Sequence, residues 1–333
     1  MSAFNIEDYI NSLPEDIEHI YVAHRSLTYL PSLKRFYKLR ILDCSYNQLT
    51  SLPELNNNLR ELHCFNNQLT SLPELNNNLQ ELACCNNPLT RLPQLNNNLQ
   101  HLHCSFNQLT SLPKLNNELQ LLSCSNNRLT ILPELNINLQ ELACYNNPLI
   151  RLPKLNDALQ RLDCFNNQLT SLPKLNNELE HLNCSGNQLT RLPKLKNALT
   201  YLNCSNNQLT ILPELSYSLI ELDCSNNQLT SLPELNNALT YLVCNDNSFE
   251  IHHLYQYWYL NQEDKNRINN EFQRLYRFKL LFWSLKYKQQ FRDWLWIRVR
   301  LPKIEKTYHP SKLNELLNAD MSEEELDNMI SAW

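Results

Sequence analysis

One phrase recurs every twenty residues and leaves little freedom in how the chain can fold. It reads Leu-x-x-Leu-x-Cys-x-x-Asn-x-Leu-Thr-x-Leu-Pro-x-Leu and is first complete from Leu39 to Leu55. A unit this short cannot bury its own apolar face, so copies must stack and share one continuous core. An asparagine column runs unbroken from Asn47 to Asn247, and a cysteine column runs from Cys44 to Cys244. Function in such a chain belongs to a surface more than to a pocket.

Each column has a physical reading. Leu42 and Cys44 are two residues apart, so a strand points both to one side, the core. Parallel strands stacked about 4.8 Å apart then form a sheet along one face. Asn47 closes the strand, where a buried amide can satisfy backbone groups of the turn and of the next repeat. Leu52-Pro53-Glu54-Leu55 marks the opposite side. Proline fixes φ and has no donor, which suits an extended or polyproline-like segment. Twenty residues leave room there for at most a helical turn. The chain has a single glycine, Gly186, so asparagine is expected at the positive-φ positions.

These columns resemble the leucine-rich repeat, with cysteine at the second inward strand position. The short repeat with Leu-Pro-x-Leu is similar to the bacterial-effector subclass. The resemblance covers residues 17 to 248. It implies an α/β repeat fold: a curved solenoid with parallel strands on the concave face, an extended convex side and protein binding as its use. Eleven or twelve strands are expected from the number of columns.

The ends depart from the phrase. In residues 1–38, Ile17, Ile20, Val22 and Leu27 fit the inward columns, but Arg25 stands where asparagine is expected. This segment reads as a cap plus one atypical repeat, followed by the solenoid over 39–248. Residues 249–333 are rich in aromatics and read as a helical cap, because an open solenoid must cover its last layer. Ile268, Phe272 and Leu275 lie at helical spacing, as do Phe278, Phe282 and Leu285. One or two helices are expected between about 262 and 300, ended by Pro302, with a short last helix from Ser322. Basic residues from Arg274 to Lys303 alternate with aromatics. They read as a solvated helix face, with contact to nucleic acid or an anionic surface as the alternative. The stretch Tyr308-His309-Pro310-Ser311-Lys312-Leu313, with the acidic residues that follow, resembles the C-terminal signature of giant-virus proteins.

Composition narrows the function. A net charge of −5 argues against a nucleic-acid binder as a whole. Met1 to Ile10 holds no apolar run, so no secretory signal is read there. No stretch is long and apolar enough to span a bilayer. The cysteines at equivalent core positions read as small hydrophobes in a reducing intracellular compartment, the host cytoplasm, and not as disulfides or zinc ligands. Cys85 alone leaves the column, and strand alternation turns it outward as the one candidate reactive thiol.

The outward strand columns vary while the core columns do not. The patch expected to bind a protein partner is Glu141, Tyr145, Arg161, Asp163, Phe165, His181 and Tyr201. Tyr145 and Phe165 share a column on adjacent rungs, and tyrosine and arginine are enriched among binding hot spots. Asp163, His181 and Ser185 together suggest a triad, but a smooth sheet offers no oxyanion hole or cleft. No phosphate-binding glycine loop is present. No catalytic residue and no cofactor are therefore assigned. His101 and His103 share a strand, with His63 two rungs away and Glu81 and Ala83 between. A metal would need a further ligand close by, so the cluster reads as polar surface. A ubiquitin-ligase or adaptor role is the alternative function, because the effector-type repeats carry ligase domains in some relatives. No cysteine follows Cys244, however, and Leu13-Pro14-Glu15-Asp16-Ile17 begins like an F-box but runs into a repeat by Ile20.

Overall fold

The computed structural model describes residues 4–195, 198–249 and 260–300. The chain divides into two compact units, Met1–Asn269 and Asn270–Trp333. The first begins with α1 (Ile6–Ser12), capped by Asn5, whose side chain accepts from the amides of Glu7 and Asp8. Ile6 and Ile10 are buried, and the two acidic residues suit the positive end of the helix.

Twelve parallel strands follow in strict sequence order, β1 next to β2 and so on to β12. They run from β1 (His19–Tyr21) and β2 (Ile41–Asp43) through β3 (Glu61–His63), β4 (Glu81–Ala83), β5 (His101–His103) and β6 (Leu121–Ser123). The other half comprises β7 (Glu141–Ala143), β8 (Arg161–Asp163), β9 (His181–Asn183), β10 (Tyr201–Asn203), β11 (Glu221–Asp223) and β12 (Tyr241–Val243). The register is in step throughout: Leu42 opposes Leu62, and Leu62 opposes Leu82. This is the expected stack of one rung per repeat, with the atypical first repeat supplying β1. The Leu-Pro-x-Leu side carries no regular secondary structure.

The core is the set of columns read from the sequence. Leu62, Cys64 and Leu69 are fully buried, and so are their equivalents in nearly every rung. Each buried leucine contributes roughly 1.5–3 kcal/mol. All twelve cysteines are free, and the eleven in the column are buried. Burial raises their thiol pKa values, to about 12 for Cys124 and Cys184.

The asparagine column does more than end a strand. Asn127 Nδ2 donates to the carbonyls of Cys104, Cys124 and Ser125 at 3.0–3.2 Å, and its Oδ1 accepts from the amide of Leu109 at 2.9 Å. It therefore ties its own turn to the preceding repeat, whereas the sequence reading had it reach the next one. Asn47 serves the atypical first repeat in the same way, accepting from Arg25 and Leu27 and donating to Val22. That repeat needs no asparagine of its own at position 25.

The residue before the ladder asparagine has positive φ in every repeat. Asparagine fills this place at positions 66, 86, 126, 146, 166, 206 and 226, but Tyr46, Phe106 and Asp246 also occupy it, and Gly186 does so at φ 60°. Several of these asparagines link along the surface: Asn146 Nδ2 donates to Asn126 Oδ1 and Asn166 Nδ2 to Asn146 Oδ1. Gly186 interrupts this row. A Cβ there would meet Asn166 Oδ1 at 2.2 Å, the end of a side chain that can rotate. Gly186→Asn is expected to raise the urea midpoint, by up to about 1 kcal/mol in stability, by extending the row and stiffening the unfolded chain. Gly186→Val, β-branched at positive φ, should lower it.

At the far end, the start of α2 (Gln262–Leu295) is bound to the last turn of the solenoid. Lys265 Nζ donates to the Asn237 carbonyl at 2.7 Å. Asn269 exchanges hydrogen bonds with the backbone of Leu235, and Leu260 and Ile268 are buried. The α-helix is followed by a π-helical turn, Trp296–Arg300. Pro302 and the helix expected near Ser322 lie outside the described residues. Among the described residues no helix is long and apolar enough to cross a membrane.

Candidate functional surface

The face of the sheet opposite the core carries two outward positions per three-residue strand, such as Glu141 and Ala143 on β7. Alternation continued past the strand, as read for Cys85, would turn Ser45 and its equivalents outward as a third position. The structure corrects this. Ser45, Ser105, Ser125, Ser205 and Ser225 are buried, because the strand ends two residues earlier and the chain turns. Several are held by the middle column: Ser225 Oγ donates to Asp223 Oδ1 at 2.6 Å and Ser205 Oγ to Asn203 Oδ1 at 2.8 Å. Cys85 sits in this third column for the same reason. It is half-buried and not outward, and burial raises its thiol pKa, which removes the low pKa a reactive thiol needs.

Where the third column holds a ring, the ring cannot fit inside the turn and lies across the rungs. Tyr145 and Phe165 stack with centroids 4.3 Å apart and planes 8° apart. Both are half-buried. A second stack joins His181 on β9 to Tyr201 on β10, at 4.2 Å and 3°. Between the two lies Asp163. Its Oδ2 accepts from Arg161 Nε at 2.8 Å and its Oδ1 faces His181 Nε2 at 3.0 Å. Asp163 is 7% exposed, so it is the interior anchor of the patch and not a contact residue. Arg161 and Glu141 are exposed and oppose one another across β7 and β8. All seven residues expected to form the patch thus fall on neighbouring rungs, in three linked groups.

Burial alone would raise the Asp163 pKa. The hydrogen bond and charge of His181, with the charge and hydrogen bond of Arg161, outweigh it and hold the carboxyl below its ordinary value. A carboxyl with a depressed folded pKa stabilises the fold above its unfolded pKa, and that stability is lost as pH falls through the folded pKa. In acid titrations followed by circular dichroism, wild type should show this loss, and Asp163→Asn should lack that step.

Asp163 and His181 hold the geometry of two members of a triad, but the third is engaged elsewhere. Ser185 Oγ donates to Asn183 Oδ1 at 2.8 Å, and the His181 ring is packed on Tyr201. The arrangement orients an imidazole without presenting a nucleophile to it.

The sequence reading missed a hollow beside the patch. A cavity of about 190 Å³ is lined by Leu121, Ser123, Ala143 and His103, together with Glu141, Arg161 and Asp163. Its signal was the run of small residues in the middle column, Ser123 and Ala143, between His103 and Asp163. An apolar wall at Leu121 beside charged Glu141 and Arg161 suits a single inserted side chain.

Residues 198–217 match the family model described as Leucine Rich Repeat. The solved YopM from Yersinia enterocolitica WA-314 is 33% identical, with a TM-score of 0.62, covering 73% of this chain and 58% of that one. YopM from Yersinia pestis, titled a leucine-rich effector protein, is 31% identical with a TM-score of 0.58, over 73% of this chain and 80% of that one. The chain belongs to the leucine-rich repeat family. A third leucine-rich repeat structure, the functional domain of InlJ from Listeria monocytogenes, is titled as including a cysteine ladder. It is 30% identical with a TM-score of 0.58, covering 69% of this chain and 53% of that one. The chain therefore spans little more than half of the Y. enterocolitica YopM and InlJ chains. No curated protein matched the sequence.

Proposed function

We propose that this leucine-rich repeat chain is a non-enzymatic scaffold that binds a protein partner on the strand face around Glu141, Tyr145, Arg161, Phe165 and Tyr201, with Asp163 and His181 positioning the patch. The observation that carries this is the pair of ring stacks, Tyr145 on Phe165 and His181 on Tyr201, close to the exposed Arg161, which also lines the neighbouring hollow. Aromatic and arginine side chains clustered beside a recess are the composition of a binding hot spot. The effector title of the Y. pestis relative supports a role in a host cell, and the giant-virus resemblance of the C-terminal stretch gives that role a virus–host setting. Twelve free cysteines fit a reducing compartment such as the host cytoplasm.

The test is affinity capture from host cells with the intact chain and with a Tyr145→Ala, Phe165→Ala double variant, followed by titration of the captured partner. Each single change is expected to weaken the complex by roughly 1–3 kcal/mol and to leave the melting temperature nearly unchanged. The alternative is that the stacked rings serve only to stabilise neighbouring strands. A loss of stability with binding intact would make the patch structural and move the contact elsewhere.

A further inference from the structure

A second cluster lies on the same face, at β3 to β5, two rungs before the patch begins at β7. Glu61 and Glu81 are paired directly across β3 and β4, and His63 opposes Ala83. Glu61 and His63 are two residues apart on one strand, so both project from the open face. One ligand atom from each of Glu61, His63 and Glu81 lies within 4.8 Å of the other two. Glu81 is central. Its Oε1 is 3.3 Å from His63 Nε2, and its Oε2 is 3.6 Å from His101 Nδ1 on β5. The sequence reading had His63, Glu81 and His101 but lacked a converging further ligand. Glu61 supplies it.

Two features of this cluster go unexplained by a polar surface alone. Like charges directly opposite on a sheet repel, yet among the described residues no lysine or arginine forms an ion pair with Glu61 or Glu81. Only the imidazoles of His63 and His101 approach Glu81. His63 Nε2 is also shielded from solvent without a hydrogen bond, although Glu81 Oε1 is close. An imidazole nitrogen and two carboxylates converging on one point, with no lysine or arginine paired to them among the described residues, offer a cation its ligands.

We propose that Glu61, His63 and Glu81 bind a divalent transition-metal ion, with His101 placed to join through the far side of Glu81. One or two imidazoles with carboxylates are the donor set of Zn²⁺ and its neighbours, and not of Ca²⁺ or Mg²⁺, which take oxygen alone. The ion joins β3 to β4 through side chains, and it removes the repulsion between the facing glutamates. Ala83 in the middle column leaves space beside them that a larger side chain would fill.

The experiment is calorimetric titration of the full, reduced chain with zinc chloride, repeated with His63→Gln, Glu81→Gln and Cys85→Ser. One Zn²⁺ per chain is expected in wild type. The affinity should fall about 100-fold or more in the first two variants and stay unchanged in Cys85→Ser. Cobalt in place of zinc should give a visible spectrum of nitrogen and oxygen ligands without a thiolate charge-transfer band. Zinc should raise the melting temperature of wild type and not of His63→Gln or Glu81→Gln, a readout that holds even if a variant is less stable. Three outcomes would overturn the site: no saturable binding, equal binding in both ligand variants, or loss only in Cys85→Ser.

Discussion

Asn127→Ala is expected to lower the unfolding free energy by about 3 kcal/mol, well beyond the effect of a typical surface change. The side chain satisfies the carbonyls of Cys104, Cys124 and Ser125 and the amide of Leu109, all in the interior. Alanine leaves the buried Leu109 amide without its partner, which costs about 1–3 kcal/mol, and removes one of the two donors to each of the three carbonyls, which keep Asn107, Asn147 and the Phe106 amide. Asn127→Asp separates the two halves of that role. It keeps the acceptor for Leu109 but turns a negative charge toward three carbonyl oxygens. At neutral pH it should be worse than alanine. The buried carboxyl's pKa must then rise on folding, so the deficit should shrink as pH falls below that raised value. Urea unfolding of the three proteins at pH 7 and pH 5 distinguishes a hydrogen-bonding ladder from a packing column. If asparagine mattered only for its shape, aspartate would be the milder change at both pH values.

That ladder shows how far the sequence could be read. Columns that repeat with one residue type, as at Leu42, Cys44 and Asn47, state their burial because a solenoid repeats its environment as well as its residues. The strand count, the register and the extended Leu-Pro-x-Leu side followed from them. The direction of the Asn127 bonds did not follow, since the spacing is the same to the repeat before and the repeat after. Strand length was equally hidden: alternation extrapolated beyond Asp43 put Ser45 and Cys85 outside, while the chain turns and buries them. On the candidate surface, the adjacency of Tyr145 and Phe165 was legible from the shared column. The burial of Asp163 was not, because it depends on the arms of Arg161 and His181 folding over it. Glu61 escaped notice because Glu81 was weighed with the histidines of other rungs and not with its own neighbour across β3.

Leu122→Ala is expected to cost about 2–5 kcal/mol and to change the form of the unfolding transition as well as its midpoint. Leu122 is fully buried on β6, with five strands before it and six after. Each strand meets only the one before and the one after, so stability is close to a sum of rungs and of the interfaces between them. Weakening the central interfaces loosens the coupling between two stacks that are each long enough to persist for a time. The denaturation curve should broaden or split, and hydrogen exchange should speed first around β5 to β7. Leu222→Ala on β11 removes the same side chain from an equally buried site, but it leaves nearly the whole stack on one side. That variant should keep a single transition, with faster exchange confined to the last rungs. Equal shifts of one sharp transition in both variants would mean that cooperativity spans the whole ladder, through the continuous asparagine and leucine columns, and that nearest-neighbour contacts understate it.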